Sequence, residues 1–250
     1  MSTHTENIKL RLIAVELLRT AKYKRNMTYR ELSAKTGQPV TVLSRYAKGH
    51  VLPNIERAQH FLQVLTKLVG LDDEIRSRIK FDKGHFDNTE IIGDHYILQQ
   101  AANYVLASFA GKRVTKVLTA TTDGIPLATM VANALGVNLI VAKHNKKAGI
   151  KNYLTETYFI GRDTDILLTL YIPKEAIKKH DSLLIVDDII RSGEPQEALI
   201  NLTKKARAEV AGLFTLATIG EEWKKRIKDT QEFPLVVVTH IKNTSNNHLF

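Results

Sequence analysis

The sequence predicts an α/β protein: a basic, all-helical N-terminal domain followed by a parallel β-sheet with helices on both faces. Charge is the first observation, because residues 1–83 hold 16 Lys and Arg against 8 Asp and Glu, whereas residues 84–250 hold 20 against 18. Periodicity is the second: apolar residues recur at helical spacing up to about residue 68, and short apolar runs alternate with helices after about residue 94. We therefore expect two domains, residues 1–83 and residues 84–250.

Composition limits the class of protein. With 44% hydrophobic and 25% charged residues, the 250-residue chain is typical of globular proteins. It has no cysteine, which excludes disulfides and thiolate metal sites. Its longest apolar stretches are about eight residues, against the roughly 20 that cross a bilayer, and its first seven residues lack the pattern of a signal peptide. We expect a cytoplasmic protein that does not enter a membrane.

Four helices are predicted in the first third of the chain. One begins after Thr28, an N-cap residue with Glu31 completing a capping box, and ends at Gly37, a residue suited to a left-handed helix end. The others follow from apolar residues at helical spacing and from breaks at Gly49 and Pro53. The predicted helices span residues 8–23, 29–36, 39–46 and 55–68.

A helix, a glycine turn and a second short helix form the helix-turn-helix arrangement, whose second helix enters the major groove of DNA. Residues 27–49 resemble the lambda-repressor and Cro type, with Leu32, Gly37 and Leu43 at its structural positions. Gln38 departs from that type, because this position is usually apolar. An alternative is a helical protein–protein or capping domain, which the local excess of positive charge disfavours. The resemblance implies contacts to base edges from Gln38, Thr41 and Arg45, and to phosphates from Thr28, Tyr29, Ser44 and Lys48.

The remainder of the chain alternates between strands and helices. A charged linker over about residues 71–85 shows no persistent apolar face, and a helix over about residues 94–109 begins the second domain. The alternation that follows predicts a parallel sheet. The predicted strands span residues 116–121, 137–143, 166–172, 182–188, 209–217 and 235–240. The predicted helices span residues 125–135, 195–208 and 221–227.

The most informative segment runs from Leu183 to Pro195 and reads LLIVDDIIRSGEP. Four apolar residues predict a buried strand, two acids follow at its carboxyl end, and a Ser-Gly turn leads into a helix. Ligands of such sheets bind at the carboxyl ends of the strands, and a helix N-terminus there favours phosphate. Acids repel phosphate but accept sugar hydroxyls, so the combination indicates a phosphorylated ribose. The alternative is a buried strand followed by two acids in a solvated turn.

This run resembles the phosphoribosyl-pyrophosphate-binding motif of the type I phosphoribosyltransferases. The resemblance implies that Asp187 and Asp188 bind the ribose hydroxyls and that the turn beginning at Arg191 wraps the 5′-phosphate. The chain departs from the family at Glu194, which adds negative charge beside the phosphate, and at Pro195, which lacks a hydroxyl and a backbone N–H. Arg191 offsets part of the charge of Glu194. The resemblance assigns the ligand site to Asp187, Asp188, Ile189, Ile190, Arg191, Ser192, Gly193, Glu194 and Pro195.

A second strand–loop–helix turn, residues 119–128, carries hydroxyls, a glycine and backbone N–H groups suited to phosphate. By the same resemblance it corresponds to the pyrophosphate loop, and Lys143 corresponds to a lysine that contacts pyrophosphate. The basic stretch over residues 144–152 corresponds to the mobile loop that closes over the substrate. Base specificity would involve residues 86–95 and 236–242, which show no readable pattern. The loop residues so assigned are Thr121, Thr122, Asp123 and Gly124.

The two resemblances together make the chain similar to the phosphoribosyltransferase-like transcription regulators, the purine-regulator type of bacteria and archaea. They imply a homodimeric regulator that binds double-stranded DNA and senses a nucleotide, a nucleobase or phosphoribosyl pyrophosphate, with a link to purines. Magnesium is the only cofactor implied, together with phosphoribosyl pyrophosphate, and no residue is expected to bind a metal directly. The alternatives are an active purine or pyrimidine phosphoribosyltransferase with an appended DNA-binding domain, and a nucleotide-gated scaffold that does not bind DNA.

Overall fold

The computed structural model describes residues 4–82, 85–159, 166–227 and 232–242. The chain divides into two compact units, residues 1–73 with 103–111, and residues 74–102 with 112–250. The first division lies earlier in the chain than the boundary predicted after Lys83. The physical reason is an ion-pair network inside the second unit, in which Arg78 contacts Glu74 at 3.0 Å and also pairs with Asp94.

The first unit is helical. Its elements are α1 (His4–Arg19), extended by a π-helical turn (Thr20–Lys24), α2 (Tyr29–Thr36), α3 (Val40–Ala47) and α4 (Ile55–Val69). The predicted helix boundaries agree to within about a residue, except that α1 begins at His4 instead of Ile8. The predicted capping box is confirmed: the Glu31 N–H donates to Thr28 Oγ1 at 3.2 Å, and the Thr28 N–H donates to Glu31 Oε2 at 2.7 Å.

Helix α3 is held in place by its neighbours. Gly37, with φ of +67°, ends α2 in the left-handed conformation predicted for it. The ring of Tyr46 on α3 meets the ring of Phe61 on α4 edge to face, with centroids 6.0 Å apart. Arg19 of α1 donates from Nε to the carbonyl of Ala47 at 2.7 Å, which satisfies an otherwise unpaired group at the end of α3. Packing and hydrogen bonds therefore fix the orientation of α3 within this unit.

Short elements precede the main sheet. They are α5 (Leu71–Arg78), the antiparallel pair β1 (Lys80–Asp82) and β2 (His85–Asp87), α6 (Thr89–Ile92) and α7 (His95–Ser108). The segment predicted as a charged linker over about residues 71–85 therefore contains helix α5 and strand β1. In the described part of this charged segment the buried stripe consists of Leu71, Ile75 and Ile79, and three apolar residues are too few to stand out as a helical pattern.

The main sheet contains β3 (Lys116–Ala120), β4 (Asn138–Ala142), β7 (Ser182–Ile190), β8 (Glu209–Ile219) and β9 (Leu235–Ile241), in the order β4-β3-β7-β8-β9 and parallel throughout. Helix α8 (Gly124–Leu135) packs on β3 and β7, and α9 (Glu194–Lys205) packs on β7 and β8. All nine residues of β7 are buried, as the apolar run predicts. Among the described residues, no helix is both long and apolar enough to cross a bilayer.

Two predictions for this unit need correction. The strand expected over residues 166–172 does not join the parallel sheet; it is β6 (Leu167–Pro173), which pairs antiparallel with β5 (Tyr153–Phe159) in a separate hairpin. Strand β5 was not predicted: three of the seven residues of its sequence, YLTETYF, are polar and none of the seven is fully buried, so no apolar run marks it. The helix expected over residues 221–227 is a single 3-10 turn, Glu222–Lys225.

Candidate functional site

Two loops meet at the carboxyl edge of the main sheet, because β3 and β7 are parallel neighbours. The loop after β3 leads into α8, and the loop after β7 leads into α9. Between them lies a cavity of about 410 Å³. This is the place at which ligands of open α/β sheets bind. Its lining is formed by Phe86, Ala120, Thr121, Thr122, Asp123, Gly124, Tyr158, Asp187, Asp188, Ile189, Arg191, Ser192, Gly193, Pro195 and Gln196.

The acid pair Asp187 and Asp188 forms the floor of this cavity and is nearly enclosed, with exposed fractions of 9% and 6%. The backbone N–H of Asp188 donates to Asp187 Oδ1 at 3.0 Å. Each carboxylate also accepts a side-chain amide: Gln196 Nε2 donates to Asp187 Oδ2, and Asn88 Nδ2 donates to Asp188 Oδ2. The two acids are therefore ordered before any ligand arrives.

Burial dominates the electrostatics of the pair. Desolvation, followed by repulsion from the Asp188 carboxylate, raises the pKa of Asp187 well above its usual range. Desolvation also raises the pKa of Asp188, although hydrogen bonds to its carboxylate offset part of that effect. The pair therefore retains a proton over a wider pH range than free aspartates do. The hydroxyl groups of a ligand can donate further hydrogen bonds to these two closely spaced carboxylates.

Gly124 makes room for the acid pair. A Cβ atom at this position would lie 2.6 Å from Asp187 Oδ1 and 2.7 Å from Thr119 Oγ1. Glycine is therefore required for α8 to approach β7 so closely. The loop before it contains a cis peptide bond between Thr121 and Thr122. Thr122 and Asp123 are exposed at the cavity.

The turn after β7 passes through a left-handed glycine into the first turn of α9. Gly193 adopts φ of +86° and lies directly against Trp223. A Cβ atom added at position 193 would lie 3.2 Å from the Trp223 Cα. Pro195 lies in the first turn of α9, where its missing N–H costs no helical hydrogen bond. The expected charge clash from Glu194 needs correction: its buried side chain does not line the cavity and pairs with Arg226 at 3.1 Å. The phosphate turn thus carries less negative charge than the sequence indicates.

Three residues assigned to the site do not line the cavity: Ile190, Glu194 and Lys143. Ile190 is fully buried in the core. The backbone of Lys143 bonds to Tyr171 of β6, donating at 3.1 Å and accepting at 2.8 Å. Lysine side chains are long, but no contact of Lys143 with the cavity lining is present among the described residues.

Tyr158 and Gln196 belong to the site and were not predicted for it, whereas Phe86 and Asn88 lie in the segment over residues 86–95 that the resemblance assigned to base specificity. Phe86, Tyr158 and Gln196 line the cavity, and Asn88 bonds to the acid pair. Burial, followed by the charges of Asp187 and Glu194, raises the pKa of Tyr158. Gln196 is a polar residue on the buried side of a helix, which is a usable sequence signal. Nothing in the sequence links Asn88 to an acid 100 positions away.

Magnesium is the metal that this fold implies. Among the described residues, no group of three or more His, Cys, Asp or Glu is placed to hold a metal ion. Magnesium retains water and phosphate oxygens in preference to cages of protein ligands. The open mouth of the cavity, lined by the hydroxyls of Thr121, Thr122 and Ser192 and by the carboxylate of Asp123, would suit a magnesium ion that arrives with a phosphate-bearing ligand and keeps part of its water.

The residues predicted to contact DNA lie in the first unit: at the start of α2, in the turn between α2 and α3, on α3 and directly after it. Thr28, Thr41, Arg45 and Lys48 are exposed, and Gln38 and Ser44 are half-buried. The hydroxyl of Tyr29 is enclosed, and its ring lies under Lys22 Nζ at 5.4 Å. The enclosed hydroxyl of Tyr29 is not exposed to a phosphate, and the assignment of Tyr29 to a phosphate stays a prediction. Lys22 instead presents a cation above that ring.

Comparison with known sequences follows the same division of the chain. Residues 92–245 match the family model of the phosphoribosyl transferase domain. A probable purine biosynthesis transcriptional regulator PurR of Streptococcus pneumoniae is 25% identical over 160 residues, which cover 64% of this chain and 58% of that protein. The match therefore spans less than two thirds of the regulator. A xanthine phosphoribosyltransferase of Lactobacillus gasseri is 24% identical over 192 residues, covering 75% of this chain and 97% of the enzyme.

Comparison with solved structures concerns the α/β part. The crystal structure of an adenine phosphoribosyltransferase from Rhodothermus marinus superposes with a TM-score of 0.59 and 25% sequence identity. The superposition covers 68% of this chain and 98% of that one. The parallel five-stranded sheet is therefore the fold of these enzymes.

Proposed function

We propose that this chain, which belongs to the phosphoribosyl transferase domain family, is a DNA-binding transcription regulator whose α/β unit senses a ligand containing ribose 5-phosphate. The candidate ligands are a purine nucleotide, phosphoribosyl pyrophosphate, or a purine base that binds with it. One observation carries the proposal above all others. A cavity with a buried, hydrogen-bonded acid pair occurs in the same chain as a basic helical unit with an exposed α3.

The cavity suits a sugar phosphate at both ends. Asp187 and Asp188 offer carboxylate oxygens to vicinal hydroxyls, and each oxygen can accept more than one hydrogen bond. The turn from Arg191 to Gly193 offers a guanidinium, a hydroxyl and backbone N–H groups to the 5′-phosphate. The loop over residues 121–124 would receive the pyrophosphate, and a magnesium ion bound with it would neutralise part of that charge.

Pro195 favours sensing over catalysis. The enzymes resembled by this motif usually have Thr or Ser at this position, whose hydroxyl and N–H both face the phosphate. Proline has neither group. The chain therefore makes fewer contacts with which to hold the 5′-phosphate during the reaction. A relative described as a purine biosynthesis regulator supports the same assignment.

The helical unit supports DNA binding. Helices α2 and α3 are joined by a three-residue turn and α3 is fixed by Tyr46 and Arg19, as a helix that enters a groove must be. Arg45 and Thr41 are exposed on α3. A homodimer would present two copies of α3 to half-sites about 34 Å apart, or a multiple of that spacing. Ligand control requires that the ligand bind the two DNA-affinity states unequally.

Two measurements on the full chain test the proposal. Calorimetric titration with phosphoribosyl pyrophosphate and magnesium, purine bases and purine nucleotides should detect binding without turnover. DNA footprints with and without the bound compound should differ. Equal footprints with and without saturating ligand would contradict the sensing role. Equal affinity for the preferred DNA sequence and for another polyanion would contradict DNA recognition and would favour a nucleotide-gated scaffold that does not bind DNA.

An active phosphoribosyltransferase is the second candidate. The relative from Lactobacillus gasseri matches over 97% of its length, and the acid pair and the loop over residues 121–124 are both present. Such enzymes need positioning and charge stabilisation and no nucleophile. Conversion of xanthine, guanine, hypoxanthine or adenine to its nucleotide by the purified chain would establish this function instead.

A further inference from the structure

The acid pair is held by two amides that lie outside the resembled motif. Gln196 and Asn88 are almost completely buried, with exposed fractions of 2% and 5%. Gln196 donates from Nε2 to Asp187 Oδ2, and Asn88 donates from Nδ2 to Asp188 Oδ2. One amide therefore serves one acid. They come from different parts of the second unit, one from the first turn of α9 and the other from the junction of β2 and α6.

Asn88 is committed to the acid instead of to its own helix. Asparagine is a preferred N-cap residue, and Asn88 occupies that position in α6, yet its side chain makes no capping bond. The neighbouring Asp87 bonds to the start of α6 instead, accepting from the Thr89 N–H at 2.9 Å and from Thr89 Oγ1 at 2.6 Å. The amide of Asn88 is therefore available for Asp188 alone.

The two amides leave acceptor sites for a ligand. A carboxylate has about four lone-pair directions. Asp187 uses one for the Asp188 N–H and one for Gln196, so hydroxyls can still bind to both of its oxygens. The amides also determine which directions remain, since a buried carboxylate without a fixed partner can rotate about its terminal bond.

We propose that Asn88 and Gln196 are positioning residues of the ligand site, which orient the two carboxylates so that their remaining lone pairs face the sugar hydroxyls. The proposal rests on the proposed function, because it assumes a ligand with ribose hydroxyls. The amides also donate to the charged form of each acid and so favour the form that accepts hydroxyls. This second effect gives a readout that simple packing would not produce.

Other groups contribute to the charge at this place. The charge of Asp123, in the loop after β3, raises the pKa of Asp188, and the charges of Asp187 and Glu194 raise that of Tyr158 on β5. Gln196 lowers the pKa of Asp187 against the larger effect of burial. Removal of the Gln196 amide therefore shifts the titration of Asp187 upwards, while the surrounding charges stay the same.

The test uses the full chain and ribose 5-phosphate without magnesium, with Asn88→Ala, Gln196→Met and a matched control, Asn201→Ala. Asn201 also donates an amide to a carboxylate, Glu156 Oε1 at 3.0 Å, and neither residue lines the cavity. We expect each site variant to lose about tenfold or more in affinity, as for a hydrogen bond to a charged group. The loss relative to the parent should be larger at pH 6 than at pH 8, and Asn201→Ala should match the parent at both.

Nuclear magnetic resonance on the parent protein supplies an independent test if a variant does not fold. The side-chain amide signals of Asn88 and Gln196 should shift on titration with ribose 5-phosphate, and that of Asn201 should not. Unchanged affinity in both variants, a loss that is equal at pH 6 and pH 8, tighter binding, or unshifted amide signals would overturn the positioning role. Failure of the parent to bind ribose 5-phosphate, phosphoribosyl pyrophosphate or a purine nucleotide would instead overturn the proposed function, and this role with it.

Discussion

The two candidate functional surfaces of this chain are built in opposite ways. On α3 the polar residues assigned to DNA, Thr41, Arg45 and Lys48, are exposed and lie on a helix fixed from behind. At the carboxyl edge of the sheet, Asp187 and Asp188 are buried and already hydrogen-bonded. An exposed surface can change its contacts at little cost to the fold. A buried site cannot, so changes there should affect stability and function together.

Removal of both charges from the acid pair should give the largest effect. Asp187→Asn with Asp188→Asn is expected to weaken binding of the sensed ligand by at least about 100-fold, because two charged acceptors are lost. DNA binding without ligand should persist. Calorimetry measures ligand affinity, and a DNA footprint without ligand measures basal DNA binding. Glu209→Gln, at the amino end of β8, is the control for loss of a negative charge away from the site. Loss of unliganded DNA binding would show that the acids are structural.

Gly124→Ala should be the next most damaging change. Its Cβ would be placed 2.6 Å from Asp187 Oδ1, and forced overpacking costs about 1–3 kcal/mol. Thermal unfolding and ligand affinity should both fall. Gly111→Ala is a useful comparison, because its Cβ meets no atom within 4 Å although Gly111 has φ of +78°. It should lose about 1 kcal/mol of stability from backbone strain and keep ligand affinity; equal loss of affinity in both would contradict the close-approach role of Gly124.

The difference between local and long-range interactions explains how much of the two surfaces could be predicted from the sequence. Strand β7 and the acids near its carboxyl end were predictable, since an apolar run followed by Asp-Asp has few other structural solutions in a parallel sheet. The capping box at Thr28 and the turn at Gly37 were predictable because capping depends on a few adjacent residues. Local chemistry thus determined much of both surfaces.

Interactions between distant residues were not predictable. Asn88 meets Asp188 only because β2 and α6 are brought to the end of β7 by the fold. Glu194 was expected to oppose phosphate binding, yet it pairs with Arg226 from the segment after β8. Strand β6 was predicted from its apolar run, but its partner β5 was missed because β5 is only partly buried, and so the antiparallel pairing of the two was missed as well.

Arg45→Ala tests the exposed surface. If Arg45 contacts a base edge, binding to the preferred sequence should weaken by about 1–3 kcal/mol, with little change on unrelated DNA. Folding should be unaffected, since the side chain is exposed. Arg30→Ala on α2 removes the same charge from another exposed position and should weaken all sequences alike. Competition footprints over a range of salt concentrations separate the two, and an unchanged sequence preference in Arg45→Ala would exclude it from readout.

The smallest expected effect is on the pH dependence of the melting temperature, for which Asp187 and Asp181 should behave in opposite ways. Burial and Asp188 raise the pKa of Asp187 above its value in the unfolded chain, so its folded form binds more protons. Its contribution to stability is therefore present at low pH and is lost as pH rises from about 4 through the folded pKa. Asp187→Asn should consequently raise the melting temperature of the ligand-free protein at pH 7 relative to the parent, and much less at pH 4.

Asp181 provides the opposite case in the same unit. Burial raises its pKa, but hydrogen bonds from Lys116, the Lys178 N–H and Thr115 outweigh burial and lower it. Its contribution is present above the unfolded pKa and is lost as pH falls through the folded pKa. Asp181→Asn should therefore lower the melting temperature at pH 7 and have little effect near pH 3. If both variants move in the same direction at pH 7, Asp187 is a structural acid like Asp181, and its buried charge is not held ready for a ligand.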